Sequence, residues 1–276
     1  MLRRFRKKHP IGYSAFAEVL FLAGLLLVSL VVTFVLLFAG VKPSGVDEYL
    51  LTCIQELVGI GIAVFLLART GRLPLLRRRG SGFFNGLLVG MYPLVLIGYS
   101  MFSTLMFGLP DGPMKPAGQI VLFLLGMTMV GIAEELIFRA VIAQTLLEHF
   151  GTSRAGIWKA CLLSGVFFGA AHLSNLLSSA PLGVLMQCAF TASLGTLFAA
   201  IYFRTGNIWV TVFLHAAMDI ASMLAGGLYG TETVAESVST YDFSMLFTVV
   251  IYLIPTLVLL RKKKLQEVQL YWGREA

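Results

Sequence analysis

The sequence is poor in charged residues. Asp, Glu, Lys and Arg make up 13% of its 276 residues, whereas hydrophobic residues make up 58% and the mean hydropathy is +0.85. Soluble domains carry roughly 25% charged residues, because a water-exposed surface needs them. The composition therefore excludes an ordinary soluble protein and predicts a membrane protein.

The chain also has little cysteine and no alternating polar and apolar pattern. Its three cysteines are Cys53, Cys161 and Cys188, and they form neither a CxxC motif nor a Cys/His pairing in sequence. The sequence therefore suggests neither a disulfide framework nor a zinc ribbon. Because backbone polar groups must be satisfied within lipid, the long apolar stretches are expected to be helices, which predicts the all-α class.

The apolar stretches are about 20 residues long, enough to cross roughly 30 Å of hydrocarbon at about 1.5 Å per helical residue. We predict a polytopic membrane helical bundle with eight transmembrane helices. The predicted spans are 16–40, 50–68, 83–107, 119–147, 157–177, 182–203, 207–228 and 244–260.

Lys and Arg are distributed unequally between the two sides of this predicted bundle. Eighteen of the 21 lie on one side, Lys42 and Lys115 lie on the other, and Arg139 lies within a span. The positive-inside rule then places both termini in the cytoplasm and predicts a multi-pass protein of the plasma or inner membrane. The basic clusters are expected to contact anionic membrane lipid, so they do not require a nucleic-acid partner.

Glu134, Glu135, Arg139 and Asp219 are charged residues that fall inside predicted spans. Together they would cost on the order of 10 kcal/mol in hydrocarbon unless they pair. Glu135 and Arg139 are four residues apart on one helix face, which indicates a structural ion pair. Glu134 has no local partner and suits a general base that takes a proton from water. The alternative is that Glu134 is a second acceptor for the same arginine.

Two other spans carry histidines at the same depth. Phe168 and His172 are four residues apart, with Asn175 one turn further along the same face, and His215 and Asp219 are also four residues apart. At about 1.5 Å per residue these groups and Glu134 all fall near the middle of the bilayer. Three separate helices are thus predicted to bring ionisable groups to one level.

Such a group of residues could hydrolyse a bond in two ways. In the first, Glu134 activates water, His172 assists, and His215 with Asp219 stabilises an oxyanion. In the second, His172, His215 and a carboxylate such as Glu134 bind Zn²⁺, which activates the water, while another glutamate acts as the base. The residues alone do not separate these mechanisms, although an H-E-x-x-H helix is missing.

At these positions the sequence resembles a known family. Residues 134–139 (EELIFR) resemble an EExxxR motif, residues 168–172 (FGAAH) an FxxxH motif, and residues 215–219 (HAAMD) an HxxxN motif. These are motifs of the CPBP family (CAAX protease and bacteriocin-processing, or Abi), which contains the type II CAAX prenyl endopeptidases. Their order and spacing match.

The resemblance implies an eight-helix membrane core and peptide-bond hydrolysis. It implies catalytic roles for Glu134, His172 and His215, with Glu135 and Arg139 organising the site. Its substrate would be a membrane-associated peptide or protein, either CAAX-like or of the bacteriocin type.

The resemblance divides the chain into three parts. Residues 1–118 hold the first three spans, 119–228 the CPBP-like catalytic core, and 229–276 the last span with a basic cytoplasmic tail. One departure from the family is Asp219, which stands where Asn is usual. An aspartate donates a hydrogen bond only when protonated, and it could ligate a metal when ionised.

Two other classes of function would use similar residues. A proton-coupled transporter also places carboxylates and histidines in its spans, although the inverted repeats and broken helices common in transporters are not evident here. A catalytically silent membrane partner protein would keep the fold alone. Retention of both glutamates and both histidines argues against it.

Overall fold

The computed structural model of the chain describes residues 1–42, 45–230 and 233–273. Within these ranges every regular element is helical, so the predicted all-α class is confirmed. In chain order the helices are α1 (Leu2–Lys8), α2 (Pro10–Phe38), α3 (Glu48–Thr70), α4 (Phe83–Val89), α5 (Met91–Gly108), α6 (Ala117–Phe150), α7 (Arg154–Leu177), α8 (Pro181–Thr205), α9 (Ile208–Ser222), α10 (Leu224–Tyr229), α11 (Val234–Ser239), α12 (Met245–Leu259) and α13 (Leu265–Trp272).

The long helices follow the predicted spans in order. Six of the described helices (α2, α3, α5, α6, α7 and α8) are long and apolar enough to cross a membrane. The seventh candidate is α12, which is bent by 62° from the segment that follows it, and α9 is apolar but has only 15 residues. The polytopic bundle is thus confirmed, while the count of eight spans and the cytoplasmic termini stay predictions.

Helix α6 changes its winding directly after the two glutamates. Its first part ends at Glu135, and Leu136–Ala143 form a π-helical stretch in which every residue is buried. π-helical turns are wider than α-helical turns and are rare in proteins overall. Those that occur are frequently found at functional sites, because they rotate side chains away from regular α spacing. This stretch sets the direction of the side chains on either side of it.

Helix α8 lies at the centre of the bundle, and all residues from Ser193 to Thr205 are buried. Small residues let α7 approach it closely. A Cβ added to Gly169 would lie 2.5 Å from the carbonyl oxygen of Cys188, and one added to Gly195 would lie 2.9 Å from Cβ of Phe168. Close approach through small residues is how membrane helices pack without a hydrophobic driving force.

A second close approach joins α6 to α9. A Cβ added to Gly131 would lie 2.9 Å from the backbone nitrogen of Ala216. Because Gly131 is one turn before Glu134 and Ala216 follows His215, this contact sets the two motifs against each other.

Basic segments that are distant in sequence meet at one end of the bundle. Arg6 and Arg72 both form ion pairs with Glu148, and Nε of Arg204 donates a 2.9 Å hydrogen bond to Glu267. We call this region, defined by these five residues, the basic end.

The opposite end is held by different contacts. The backbone N–H of Lys115 donates to the carbonyl of Leu228 at 2.7 Å, and that of Ala180 donates to Oγ of Ser239 at 3.0 Å. We call the region of these four residues the distal end.

Candidate active site

Glu135 is the centre of the polar group inside the bundle. It is fully buried, and its carboxylate accepts a 3.0 Å hydrogen bond from Nε of Arg139, with Nη2 of the same guanidinium at 3.0 Å. The ion pair predicted from their spacing is therefore present. A buried carboxylate held by a guanidinium keeps both charges compensated away from water.

The same carboxylate also fixes the histidine of α9. Nδ1 of His215 lies 2.9 Å from Oε1 of Glu135, so this nitrogen carries the proton and donates to the carboxylate. The other ring nitrogen, Nε2, points away from Glu135. It lies 3.5 Å from Oε2 of Glu134 and 3.6 Å from Oδ2 of Asp219. The structure thus brings together four of the predicted site residues.

Glu134 differs from Glu135 in its surroundings. Its side chain is 22% exposed, while that of Glu135 is 0% exposed, although the two are adjacent in sequence. Its distance of 3.5 Å from His215 exceeds the usual 2.7–3.2 Å of a direct hydrogen bond. Because Arg139 and His215 take up Glu135, Glu134 is the glutamate of the pair that remains open to a water molecule.

The ring of Phe168 contacts the guanidinium of Arg139 and the imidazoles of both His172 and His215. The guanidinium of Arg139 lies 4.7 Å from its ring centroid. The rings of His172 and His215 meet it edge to face, with centroids at 5.2 Å and 5.7 Å. A single aromatic side chain therefore positions three polar groups from three helices, which gives a physical reason for its predicted supporting role.

His172 lies where α7 tightens from α-helical to 3₁₀ winding. Its Nδ1 is 2.9 Å from the carbonyl oxygen of Phe168, and since a carbonyl only accepts, Nδ1–H is the donor. Nε2 is then unprotonated in the neutral ring and can accept a proton or a hydrogen bond. The imidazole lines a cavity of about 330 Å³ that is also lined by His215 and Asp219.

Asn175 makes its contact with α8. Its side-chain amide donates a 2.8 Å hydrogen bond to Oε1 of Gln187 on α8. Residues three apart in a 3₁₀ segment lie over one another, so Asn175 shares a face with His172, and Gln187 also lines the site cavity. Its supporting role stays a prediction.

Glu56 on α3 lies close to the site. It is 6% exposed, and its Oε2 has no hydrogen-bond partner among the described residues. A Cβ added to Gly59 would lie 3.2 Å from this oxygen and 3.3 Å from Cβ of Ala133, the residue before Glu134.

Glu56 also lies within electrostatic range of Glu134, His215 and Asp219. No motif marks this carboxylate. The signal in the sequence was a lone acid inside a span, which is costly and typical of function.

The zinc alternative requires three ligands that converge on one point. In the parts of the chain that the structure describes, no three His, Cys, Asp or Glu side chains are arranged to hold a metal ion. The hydrogen bonds at Nδ1 of His172 and His215 do resemble the outer contacts of metal-bound histidines. The set His172, His215 and Glu134 does not fit as a metal centre, and we derive no step through one.

Comparison with known proteins gives the same region a family. Residues 116–221 match the family model described as Type II CAAX prenyl endopeptidase Rce1-like. Over 101 residues the chain is 33% identical to a protein of Bacillus subtilis (strain 168) named "Putative membrane peptidase YdiL". This alignment covers 36% of the chain and 35% of that relative, so the chain spans about a third of the relative's length. No solved structure matches the chain.

The fold and the site thus define a polytopic helical membrane protein with a polar group inside its spans. Residues 116–221, which contain all three motifs, are similar to the CAAX prenyl endopeptidases, in agreement with the resemblance that the motifs carry.

Proposed function

We propose that the protein is an intramembrane endopeptidase that hydrolyses a peptide bond in a membrane-associated peptide or protein, using water activated by Glu134. The observation that carries the proposal is the meeting of Glu134, His215 and Asp219 around Nε2 of one imidazole, beside a cavity that also contains His172. Buried titratable groups that converge in a cavity are typical of an active site.

Glu134 acts first. Its carboxylate takes a proton from water, and the resulting hydroxide forms a bond to the carbonyl carbon of the substrate. The carbon then carries a negative oxygen and remains bonded to nitrogen. When the C–N bond breaks, the carboxyl of Glu134 returns its proton to the leaving nitrogen, so the site ends in the state in which it began.

His172 assists this water. Its Nδ1–H is held by the carbonyl of Phe168, which leaves Nε2 as a hydrogen-bond acceptor for the second proton of the water. A water molecule held between two hydrogen-bond acceptors loses less entropy when it attacks the carbonyl carbon.

His215 and Asp219 stabilise the oxyanion. With Nδ1–H donating to Glu135, a protonated His215 donates its Nε2–H toward the space shared with Glu134 and Asp219. A donor already oriented in a dry site stabilises developing charge without reorganisation. Asp219 adds a second donor only when its carboxyl is protonated.

The protein's location and partners follow from the same features. We place it in the plasma or inner membrane as a multi-pass protein, in contact with membrane lipid. Its substrate is proposed to be a CAAX-like or bacteriocin-type peptide, and the similarity of residues 116–221 to CAAX prenyl endopeptidases supports the first of these.

Purified wild type and Glu134→Gln in liposomes test this function. Candidate membrane peptides would be followed by mass spectrometry, with Glu18→Gln as the control. Glu18 is another buried acid of a span, but it lies on α2, which contributes none of the predicted site residues. We expect cleavage by the wild type and the control, and a loss of at least a hundredfold in Glu134→Gln.

Other outcomes identify the alternatives. Full activity in Glu134→Gln removes the proposed base. Cleavage that is stopped by a chelator and restored by zinc supports the metal mechanism. Glu134-dependent proton flux without any cleavage of the peptides indicates a transporter.

A further inference from the structure

The site cavity extends from the catalytic residues in one direction only. It is lined by His172 near the end of α7, by Gln187 and Thr191 in the first half of α8, and by Ser222 at the end of α9. The end of α7 and the start of α8 are joined at the distal end, where Ala180 contacts Ser239. The cavity therefore runs from the site toward the distal end.

The opposite direction is filled with protein. Every residue of α6 from Leu136 to Leu147 is buried, and so is every residue of α8 from Ser193 to Thr205. Beyond them, Nε1 of Trp272 donates a 2.8 Å hydrogen bond to the carbonyl of Phe203. About three helical turns of close-packed side chains thus separate the catalytic groups from the basic end.

A short segment covers the cavity at the distal end. It consists of α11 with Thr233 before it and Tyr241 after it. Val234, Ser237 and Val238 of α11 line the cavity together with these two residues. The ring of Tyr241 packs against that of Phe190, with centroids 5.6 Å apart. The cover is only six helical residues long, so it closes the cavity with few contacts.

The lining indicates what the cavity accepts. Among the described residues it contains no Lys or Arg, and its acid is Asp219 of the site itself. Apart from His172 and His215 of the site, the remaining lining side chains are apolar, aromatic or neutral and polar, such as Gln187, Thr191 and Ser237. Apolar walls with a few neutral hydrogen-bonding groups suit an extended, uncharged peptide segment whose backbone needs partners.

The side on which the cavity opens follows from charge. Because the basic end carries the Lys- and Arg-rich segments, the positive-inside rule assigns it to the cytoplasm and the distal end to the other face. We propose that the site is entered from the non-cytoplasmic face, and that its substrate is an uncharged apolar segment of a peptide or protein presented at that face. That the occupant is a substrate rests on the proposed function, whereas the access route rests on the cavity and the charges alone.

Cysteine labelling tests the route without requiring activity. Cys53, Cys161 and Cys188 would first be replaced by Ala, and single cysteines introduced as Ser222→Cys inside the cavity, Ser237→Cys on the cover, and Lys7→Cys at the basic side. Each would be treated with a membrane-impermeant maleimide in sealed spheroplasts and, separately, in inverted membrane vesicles. All three parent residues are at least partly exposed, so the packing of the protein does not bury the introduced thiols.

We expect Ser222→Cys and Ser237→Cys to be labelled at least tenfold more in spheroplasts, and Lys7→Cys at least tenfold more in inverted vesicles. Labelling of Ser222→Cys mainly in inverted vesicles, or in neither preparation, would overturn the access route. Labelling of Lys7→Cys in spheroplasts would overturn the orientation. If the labelling is as expected but no peptide is cut, the access route stands and the proposed function fails.

Discussion

Nδ1 of His215 and Oε1 of Glu135 are 2.9 Å apart, and this hydrogen bond joins α9 to α6 across the middle of the bundle. The carboxylate that receives it is also held by Arg139, so one side chain fixes a cation on its own helix and an imidazole on another. The two adjacent glutamates therefore differ in their contacts, since Glu135 is held by Arg139 and His215 and Glu134 is not. In the proposed mechanism, Glu135 organises the site and Glu134 reacts.

Glu135→Gln is expected to unfold more easily than the wild type, by about 3 kcal/mol, because it leaves the fully buried guanidinium of Arg139 without its counter-charge. Glu134→Gln should change stability by less than about 1 kcal/mol, since its carboxylate is partly exposed and makes no direct hydrogen bond. Thermal unfolding of both variants in the same detergent compares them. Equal stability of the two variants would contradict the assigned roles.

Asp219→Asn is expected to retain cleavage. The amide of Asn donates a hydrogen bond at any pH, whereas Asp219 donates only when protonated. The variant should therefore lack the fall in rate that deprotonation of Asp219 causes, and keep only the fall that loss of the Nε2–H of His215 causes. Rates measured from about pH 5 to 9 in both proteins would show the difference. Loss of cleavage in Asp219→Asn at every pH would mean that the negative charge itself is required.

Glu56→Met is expected to be more stable and less active than the wild type. A buried carboxyl oxygen without a partner costs about 1–3 kcal/mol, which an apolar side chain of similar volume does not. Activity should fall at least severalfold, because Glu56 lies within electrostatic range of Glu134, His215 and Asp219. Stabilisation gained at the expense of activity is characteristic of functional sites.

The matched control for this change is Glu18→Met, which removes a buried acid from α2. Its activity should equal that of the wild type. If Glu56→Met is as active as the control, Glu56 has no part in the reaction.

Docking of α13 at the basic end should depend on pH. Burial alone would raise the pKa of the Glu267 carboxyl, but hydrogen bonds from Lys264 and Arg204 outweigh it and lower the pKa below its usual value. A depressed pKa in the folded state contributes stability above the unfolded pKa of about 4.3, and that contribution is lost as the pH falls through the folded value.

We therefore expect the fluorescence of Trp272, which α13 holds against Phe203, to report undocking below about pH 4. Because the chain has three Trp residues, the signal would be assigned by comparison with Trp272→Phe. Glu267→Gln should lack this acid transition. An unchanged transition in Glu267→Gln would show that another group is responsible.

The sequence by itself determined the class of the protein and most of the reacting groups. Long apolar stretches permit only helices in lipid, and residues four apart on a helix must share a face, so the Glu135–Arg139 pair could be predicted from spacing alone. The motif residues of three spans were likewise marked by the cost of placing ionisable groups in hydrocarbon.

Only the tertiary structure decided which groups meet between helices. Close approach at Gly131 places His215 against Glu135, and the packing of α7 on α8 pairs Asn175 with Gln187. The nearness of Glu56 to the site and the direction of the site cavity also depend on packing between helices that are distant in sequence. Local periodicity fixes the face on which a residue lies, but the neighbour of that face is set by which small residues allow two helices to touch.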